Sequence, residues 1–414
     1  MAHRPLVQVV SNTWTRDSHD LFDFEAHQMH TKTFTVQNSM VCVRNSTDVS
    51  MIDECSEPPK NSDELLRLVQ RGEKFWVDKA SSSSSSKKLW LVVRDLANSG
   101  HMLSEGDVLK LGRFKFRVRQ LVGNNCVGAQ PELRIDDMGS IVSVSTAENA
   151  KLQSNMCRIC LLEGPGEDDP LITPCMCKGS IEYVHLGCLR HWIRGRLNLP
   201  DTPSGSYFYK PLSCELCKTV YPTQITVDRN RMPLVEVPPT TPPFIVLENM
   251  VRDSQQHTSR GLHVISLADK ALKLGRGHES DVRIADVSIS RCHATISFAH
   301  GNFFLEDNNS KFGTLVAMKK PRQLDPTNPI SIQMGRTVLQ LTLQSTADLG
   351  IGGGSPSLHQ LPGSNAQDER NLRLSLLTRG SREDVDVASR GLRSDGTAAG
   401  GPSSDASIEH EATL

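Results

Sequence analysis

Eight residues able to hold metal ions follow one another between Cys157 and Cys217. They are Cys157 and Cys160, Cys175 and Cys177, His185 and Cys188, and Cys214 and Cys217. Seven of the chain's 11 cysteines fall in this window. Four tight pairs at ligand spacing argue against scattered buried thiols and against a disulfide framework. Thiolate and imidazole are the donors of closed structural zinc sites, four to each ion. The set therefore suffices for two tetrahedral zinc ions. His191 is a competing imidazole, but it fits no ligand spacing and reads as a surface residue.

The elements that must position these ligands occupy part of a 414-residue chain, long enough for two to four domains. Hydrophobic residues make up 37% and aromatic residues 5%, low enough to imply long disordered parts. A net charge of −1 supplies neither a basic field for nucleic acid nor an acidic one. No secretory leader is visible, and Leu89 to Val93 is about the longest apolar run, far short of a membrane span. The chain reads as soluble and intracellular, cytoplasmic or nuclear and not secreted, where thiols stay reduced.

Residues 1–125 are expected to be β-rich. Thr31 to Val43 alternates apolar and polar residues as a half-buried strand does, and Leu89 to Val93 and Gly106 to Leu121 are also strand-like. Six serines, Ser81 to Ser86, interrupt the region as a flexible loop. Residues 126–150 are a polar connector, and residues 151–225 hold the zinc module. Within it, Leu189, Trp192 and Ile193 predict a short helix over Cys188 to Arg196, followed by a Pro/Gly/Ser-rich loop between Pro200 and Tyr207. Residues 226–243, with Pro238, Pro239, Pro242 and Pro243, read as a stiff linker. Short strands punctuated by turn residues make 244–345 a β-sandwich. Residues 346–414 hold too few large apolar side chains to offset ordering entropy and read as a disordered tail. Leu372 to Leu377 is a weak candidate docking motif within it.

The segment Pro174 to Trp192, PCMCKGSIEYVHLGCLRHW, closely resembles the RING-CH (RING-variant) domain, as does the first pair Cys157-Arg158-Ile159-Cys160. The rival with the same ligand order, the PHD finger, usually places an aromatic residue two positions before the last cysteine pair; here that position is Leu212. The resemblance implies a cross-brace, with Cys157, Cys160, His185 and Cys188 on one zinc and Cys175, Cys177, Cys214 and Cys217 on the other. About sixty residues bury little core, so metal must hold such a module together. The resemblance also implies a ubiquitin ligase that works without a covalent intermediate, gripping a ubiquitin-charged conjugating enzyme so that the thioester is held ready for attack. Ile159 and Trp192 are the expected members of a shallow apolar groove for that enzyme. Trp192 could instead anchor the core. Lys218 holds the position after the last ligand where many RING domains carry a cation, although it lacks the fork of arginine. Glu215 stands where many of them have proline.

Residues 244–344 resemble a forkhead-associated (FHA) domain, a phosphothreonine-binding β-sandwich. The resemblance rests on Leu274-Gly275-Arg276, on Ser290-Arg291-Cys292-His293, and on Asp307 to Thr314. Phosphate needs charge-assisted donors. Arg276 and the Ser290 hydroxyl would supply them, with Arg291 and Lys311 from neighbouring loops. His293 is expected to brace the loops from inside, and Gly313 to permit a tight turn. Phe312 replaces an asparagine that commonly contacts the peptide backbone, which puts peptide affinity in question. Residues 1–125 echo this domain: Leu111-Gly112-Arg113 with FKFRVRQL parallels Met334-Gly335-Arg336 with TVLQLTLQ, and Asp95 to Gly100 loosely parallels Asp307 to Gly313. A second, divergent FHA-like sandwich is therefore expected there, without an evident phosphate motif.

The expected architecture is a multidomain chain, a zinc-stabilised cross-brace module flanked by β-sandwiches. The expected function is a RING-type ubiquitin ligase that recruits phosphothreonine-bearing proteins, with a conjugating enzyme and ubiquitin as further partners. The alternative is a non-catalytic, zinc-binding phosphopeptide adaptor. Many RING-CH ligases carry membrane helices after the zinc module. A sandwich follows it here, so membrane substrates are not assumed.

Overall fold

The computed structural model describes residues 5–16, 20–80, 88–96, 100–124, 142–144, 151–197, 206–235, 237, 239–250 and 261–345. The serine run, most of the Pro200 to Tyr207 loop and the tail from 346, with Leu372 to Leu377, lie outside these residues.

The first part of the chain forms β1 (Pro5–Trp14), β2 (Met29–Val36), β3 (Met40–Asn45), β4 (Asp48–Asp53), β5 (Asp63–Arg71), β6 (Lys74–Lys79), β7 (Trp90–Val92), β8 (His101–Met102), β9 (Val108–Leu111) and β10 (Phe114–Val122). The connector and the cysteine-rich module contribute β11 (Val142–Val144), β12 (Leu171–Ile172), β13 (Val184–His185), helix α1 (Leu186–Leu197), β14 (Ser206–Tyr209), β15 (Gln224–Val227) and β16 (Asn230–Pro233). The last part forms β17 (Phe244–Asn249), β18 (Leu262–Ser266), β19 (Leu272–Gly275), β20 (Val282–Arg283), β21 (Ala294–Ala299), β22 (Asn302–Asp307), β23 (Thr314–Ala317), β24 (Arg322–Gln323), β25 (Ile330–Met334) and β26 (Thr337–Ser345).

Residues 1–125 and 244–345 do not close on themselves. They share an 11-stranded sheet in the order β14-β18-β17-β10-β9-β23-β7-β25-β26-β1-β2. Read outward from the central β23–β7 pair, the order is the same on both sides, with strands of the two parts alternating in role. Two five-stranded sheets cover its two halves, β20-β19-β21-β22-β8 and β4-β3-β5-β6-β24. Each part thus keeps its first seven strands and gives its last three to the other. The contributed pair β9–β10 buries Leu109, Leu111, Phe116 and Val118 among Ile245, Leu247, Leu274, Ile296 and Leu305. The pair β25–β26 buries Ile332, Met334, Leu339 and Leu341 among Val7, Val9, Leu66, Leu68 and Phe75. Four such side chains stabilise by roughly 6–12 kcal/mol through burial alone, so neither sandwich has a complete core without the other part.

The echo between Leu111-Gly112-Arg113 and Met334-Gly335-Arg336 marks these exchanged hairpins. Asp95 to Gly100 has a different place from the one expected. It leads from β7 into the exchanged β8, whereas Asn308 to Gly313 joins β22 to β23. The strand-order counterpart of the latter loop is the β6–β7 connection, where the serine run lies.

The cysteine-rich module is inserted between β10 and β17, which pair with each other. Its β14 adds to the edge of the long sheet, with Tyr207 opposite Val264 and Tyr209 opposite Leu262. Tyr209, Leu186, Leu189, Ile193 and Ile225 share one core with Val122, Phe244, Val246, Leu262 and Val264. The first part of residues 226–243, expected as a linker, is packed instead: β16 pairs with β15, and Leu234 and Val235 are buried in that core. These two apolar side chains lie ahead of the Pro238 to Pro243 cluster, and their burial draws that part of the segment into the core. In the 126–150 connector, Val142–Val144 pairs parallel with β15.

Candidate zinc centre and phosphate-facing loops

Two knuckles of the same build present the outer cysteine pairs. In one, Leu161 N–H donates to Cys157 O and Cys157 N–H to Leu162 O; in the other, Lys218 N–H donates to Cys214 O and Cys214 N–H to Thr219 O, each at 2.9 Å. Leu161 and Lys218 take the left-handed backbone that closes each turn, with φ of 63° and 61°. The β12–β13 hairpin sets Leu171 opposite His185, and α1 begins directly afterwards with Cys188 in its first turn.

These elements bring the eight residues into two groups: Cys157, Cys160, His185 and Cys188, and Cys175, Cys177, Cys214 and Cys217. Within each group the donor atoms all lie within 4.8 Å of one another. The grouping is the interleaved one that the RING-CH resemblance implies. His185 Nδ1 faces the thiols, 3.2 Å from Cys160 Sγ, while Nε2 donates to Gly164 O at 2.8 Å. That bond holds the tautomer whose Nδ1 lone pair is free for a metal. Cys157 Sγ accepts from the backbone N–H of Ile159 and of His185, both at 3.4 Å. Such donors suit a thiolate. His191 is exposed.

Arg158, which sequence reasoning left unassigned, sits between the two groups. Its guanidinium donates to Ile181 O at 2.9 Å and to Tyr221 Oη at 3.1 Å, and lies 3.5 Å from Cys175 Sγ. A cation beside several thiolates offsets their mutual repulsion. Its place inside the first cysteine pair was the available signal.

Ile159 and Trp192 line one groove of about 210 Å³ with Arg158, Leu189, Glu215, Leu216 and Tyr221. Ile159 is 41% exposed and Leu216 60%. Trp192 is half-buried edge-on to Tyr221, ring centroids 5.9 Å apart, so it both packs and faces the groove. Lys218 does not line the groove. The knuckle turns it back, and its Nζ donates to Glu215 O at 2.8 Å.

At the sandwich completed by β8–β10, three loops meet. Arg276 N–H donates to Ser290 O at 3.1 Å, and Lys311 N–H to Ser290 Oγ at 3.1 Å, so Ser290 joins the loops that carry the other two. Arg276, Arg291 and Lys311 are exposed. Arg291 O accepts from Gly277 N–H at 3.0 Å. His293 is wholly buried, and burial holds its imidazole below the ordinary range. As a neutral ring it accepts from Ser290 N–H through Nδ1 and donates to Gly313 O through Nε2. Gly313 has φ of 72° and abuts the Phe24 ring. Phe312 is half-buried in a cluster with Trp14, Phe22, Phe24 and Trp90 from the first part of the chain.

Residues 157–217 match the RING-variant domain, and residues 272–339 match the FHA domain. The protein therefore combines these two domain types in one chain. Among known proteins, it is 24% identical to the E3 ubiquitin-protein ligase MARCHF7 of Rattus norvegicus over 206 residues, 41% of this chain and 29% of the relative. It is 25% identical to the probable E3 ubiquitin-protein ligase MARCHF10 of Homo sapiens over 191 residues, 42% of this chain and 22% of the relative. It is 40% identical to the E3 ubiquitin-protein ligase MARCHF8 of Xenopus tropicalis over 90 residues, 20% of this chain and 29% of the relative. The chain thus spans under a third of the length of these relatives. No solved structure matches it.

The FHA match is continuous in sequence but divided in space, since it runs through β19–β23 of one sandwich and into β24–β26 of the other. The expected cytoplasmic or nuclear location is corrected by the relatives: the MARCH proteins are membrane-associated ligases. Among the described residues no helix is long and apolar enough to cross a membrane.

Proposed function

We propose that this protein is a RING-type E3 ubiquitin ligase that recruits phosphothreonine-bearing proteins. The observation that carries the reading is the apolar groove of Ile159, Trp192 and Leu216, held open directly beside the two interleaved ligand groups. The donor sets, three thiols with an imidazole and four thiols, suit zinc, one ion in each group. The metals would set the two knuckles, and the knuckles the groove. A conjugating enzyme seated there would have its ubiquitin thioester held for attack by a substrate lysine, and its cysteine would leave as the thiol. The ligase contributes orientation, not a nucleophile. Arg276, Ser290, Arg291 and Lys311 would take the phosphate, raising the local concentration of the target's lysines.

The test is reconstitution with ubiquitin, activating enzyme and a panel of conjugating enzymes. Chain formation lost on Ile159→Ala, with zinc content unchanged, supports the ligase. Silence of the wild type across the panel would instead leave a phosphopeptide adaptor. For the second site, Arg276→Ala should remove the preference for a phosphothreonine peptide pool over its unphosphorylated counterpart.

A further inference from the structure

We infer that the phosphothreonine site is assembled by both parts of the chain, with Arg113 of the exchanged hairpin as its positioning residue. The inference rests on the phosphothreonine reading of Arg276 and Ser290. Its basis is a set of contacts that cross from residues 1–125 to the three loops.

The β9–β10 hairpin turns at Gly112 and Arg113, against the loop that leads to Ser290. Arg113 N–H donates to Ser288 Oγ at 3.1 Å, and its Nη2 to Asp286 Oδ2 at 2.8 Å. Asp286 in turn accepts from Ser288 N–H at 2.8 Å and from Ser288 Oγ–H at 2.6 Å. Arg113 thus grips both ends of a small turn two residues before Ser290. The approach is close. Gly112 has φ of +51°, and a Cβ on it would stand 2.4 Å from Ser288 Oγ.

The loop that carries Lys311 is held in the same way. Arg94 Nη1 donates to Ser310 O at 3.2 Å, and its guanidinium lies 4.7 Å from the Phe24 ring centroid. Phe24 N–H donates to Lys311 O at 2.9 Å, and Asp23 Oδ2 lies 3.5 Å from Lys311 Nζ. Arg113, Arg94, Phe24 and Asp23 all lie outside 272–339, so these contacts add to the bonds that His293 and Asp286 make within the matched FHA segment and come from the other part of the chain.

The Arg113–Asp286 pair is partly exposed, at 44% and 17% of the side chains. A pair of that kind adds little to global stability. Its loss should loosen the Ser290 loop without unfolding the sandwich, which separates a positioning role from a structural one.

The experiment measures retention of a degenerate phosphothreonine peptide pool, and of its unphosphorylated counterpart, on the full-length protein. Arg113→Ala should weaken retention of the phosphorylated pool by about tenfold or more with the thermal midpoint unchanged, and Arg113→Lys should restore most of it. Should Arg113→Ala fail to fold, Asp286→Asn reads the same link from the other side. Undiminished phosphopeptide retention in the altered protein would overturn the inference while leaving the phosphothreonine reading intact. A wild type that retains both pools equally would overturn that reading, and this inference with it.

Discussion

Thr13 and Thr337 lie with their hydroxyl oxygens 3.0 Å apart in a fully buried setting, although 324 positions separate them in the chain. Thr337 Oγ1 also accepts from Arg44 Nη1 at 3.0 Å, and Arg44 Nη2 donates to Asp63 at 3.0 Å. The exchange of closing strands creates this network, since β1 and β26 pair along their whole length. Thr337→Val strands the Arg44 Nη1–H donor, removes the partner of the Thr13 hydroxyl, and should cost about 1–3 kcal/mol. The measurement is urea denaturation of the full-length protein. Because each sandwich depends on the other part, both should lose amide protection in the same transition. Separate transitions for the two sandwiches would contradict the exchange.

Removal of metal should act beyond the zinc module. A structural zinc contributes ~10–16 kcal/mol of binding free energy, and the module shares its core with Phe244, Val246, Leu262 and Val264. Chelation under reducing conditions is expected to unfold residues 151–235 and to raise exchange at the β17–β18 edge. Elemental analysis of the reduced protein should return two zinc ions per chain; markedly fewer would refute the assignment of the two groups.

Acid should loosen the joint between module and sandwich. His263 lies between Phe208 and Phe116, ring centroids 4.5 Å and 6.0 Å away, and burial pulls its imidazole down to about 4. In the unfolded chain it would titrate near 6.5. Above that pH both states are neutral and the stability is complete. As pH falls from 6.5 toward 4, the unfolded state takes up a proton that the folded state refuses, so stability drops, by up to about 3 kcal/mol. Acid would also protonate the thiols and imidazole of the two candidate metal groups, so the measurement is a comparison. His263→Gln should show a shallower loss of stability between pH 7 and 4.5 than the wild type, and identical slopes would discount His263.

Phe312 was suspect as a lost peptide contact, and the structure gives it another role. It packs at the seam between the two parts, with Phe24 and Trp90. Phe312→Asn, which restores the residue common in FHA domains, should lower stability by about 1–3 kcal/mol, short of the cost of truncating a fully buried phenylalanine. An unchanged melting temperature would show that the seam does not need the ring.

Much of the candidate site was legible without coordinates because its rules are local. The spacing of cysteines and histidine reports metal chemistry directly, and the resemblance to RING-CH domains implied the interleaving that the structure displays. Ile159 and Trp192 meet in one groove for a similar reason: each sits within a few residues of a ligand that orients it. Lys218 lies just as near a ligand but outside the groove's lining, its Nζ on the Glu215 carbonyl, and the backbone handedness that sets this was not visible in residue type.

Alternation and turn residues likewise marked individual strands, down to the repeated Gly-Arg hairpin of Gly112-Arg113 and Gly335-Arg336. Strand partners were beyond reach. A strand's apolar face states that it will be buried, not against which neighbour, and two similar Gly-Arg hairpins do not say which sandwich each will close. Sequence alone determined the candidate ligand set, the domain types and the loops proposed to take phosphate. Only the tertiary structure decided that the hairpin of one part would close the sandwich of the other and bring Arg113 to the Ser290 loop, because that choice lies in contacts between residues far apart in the chain.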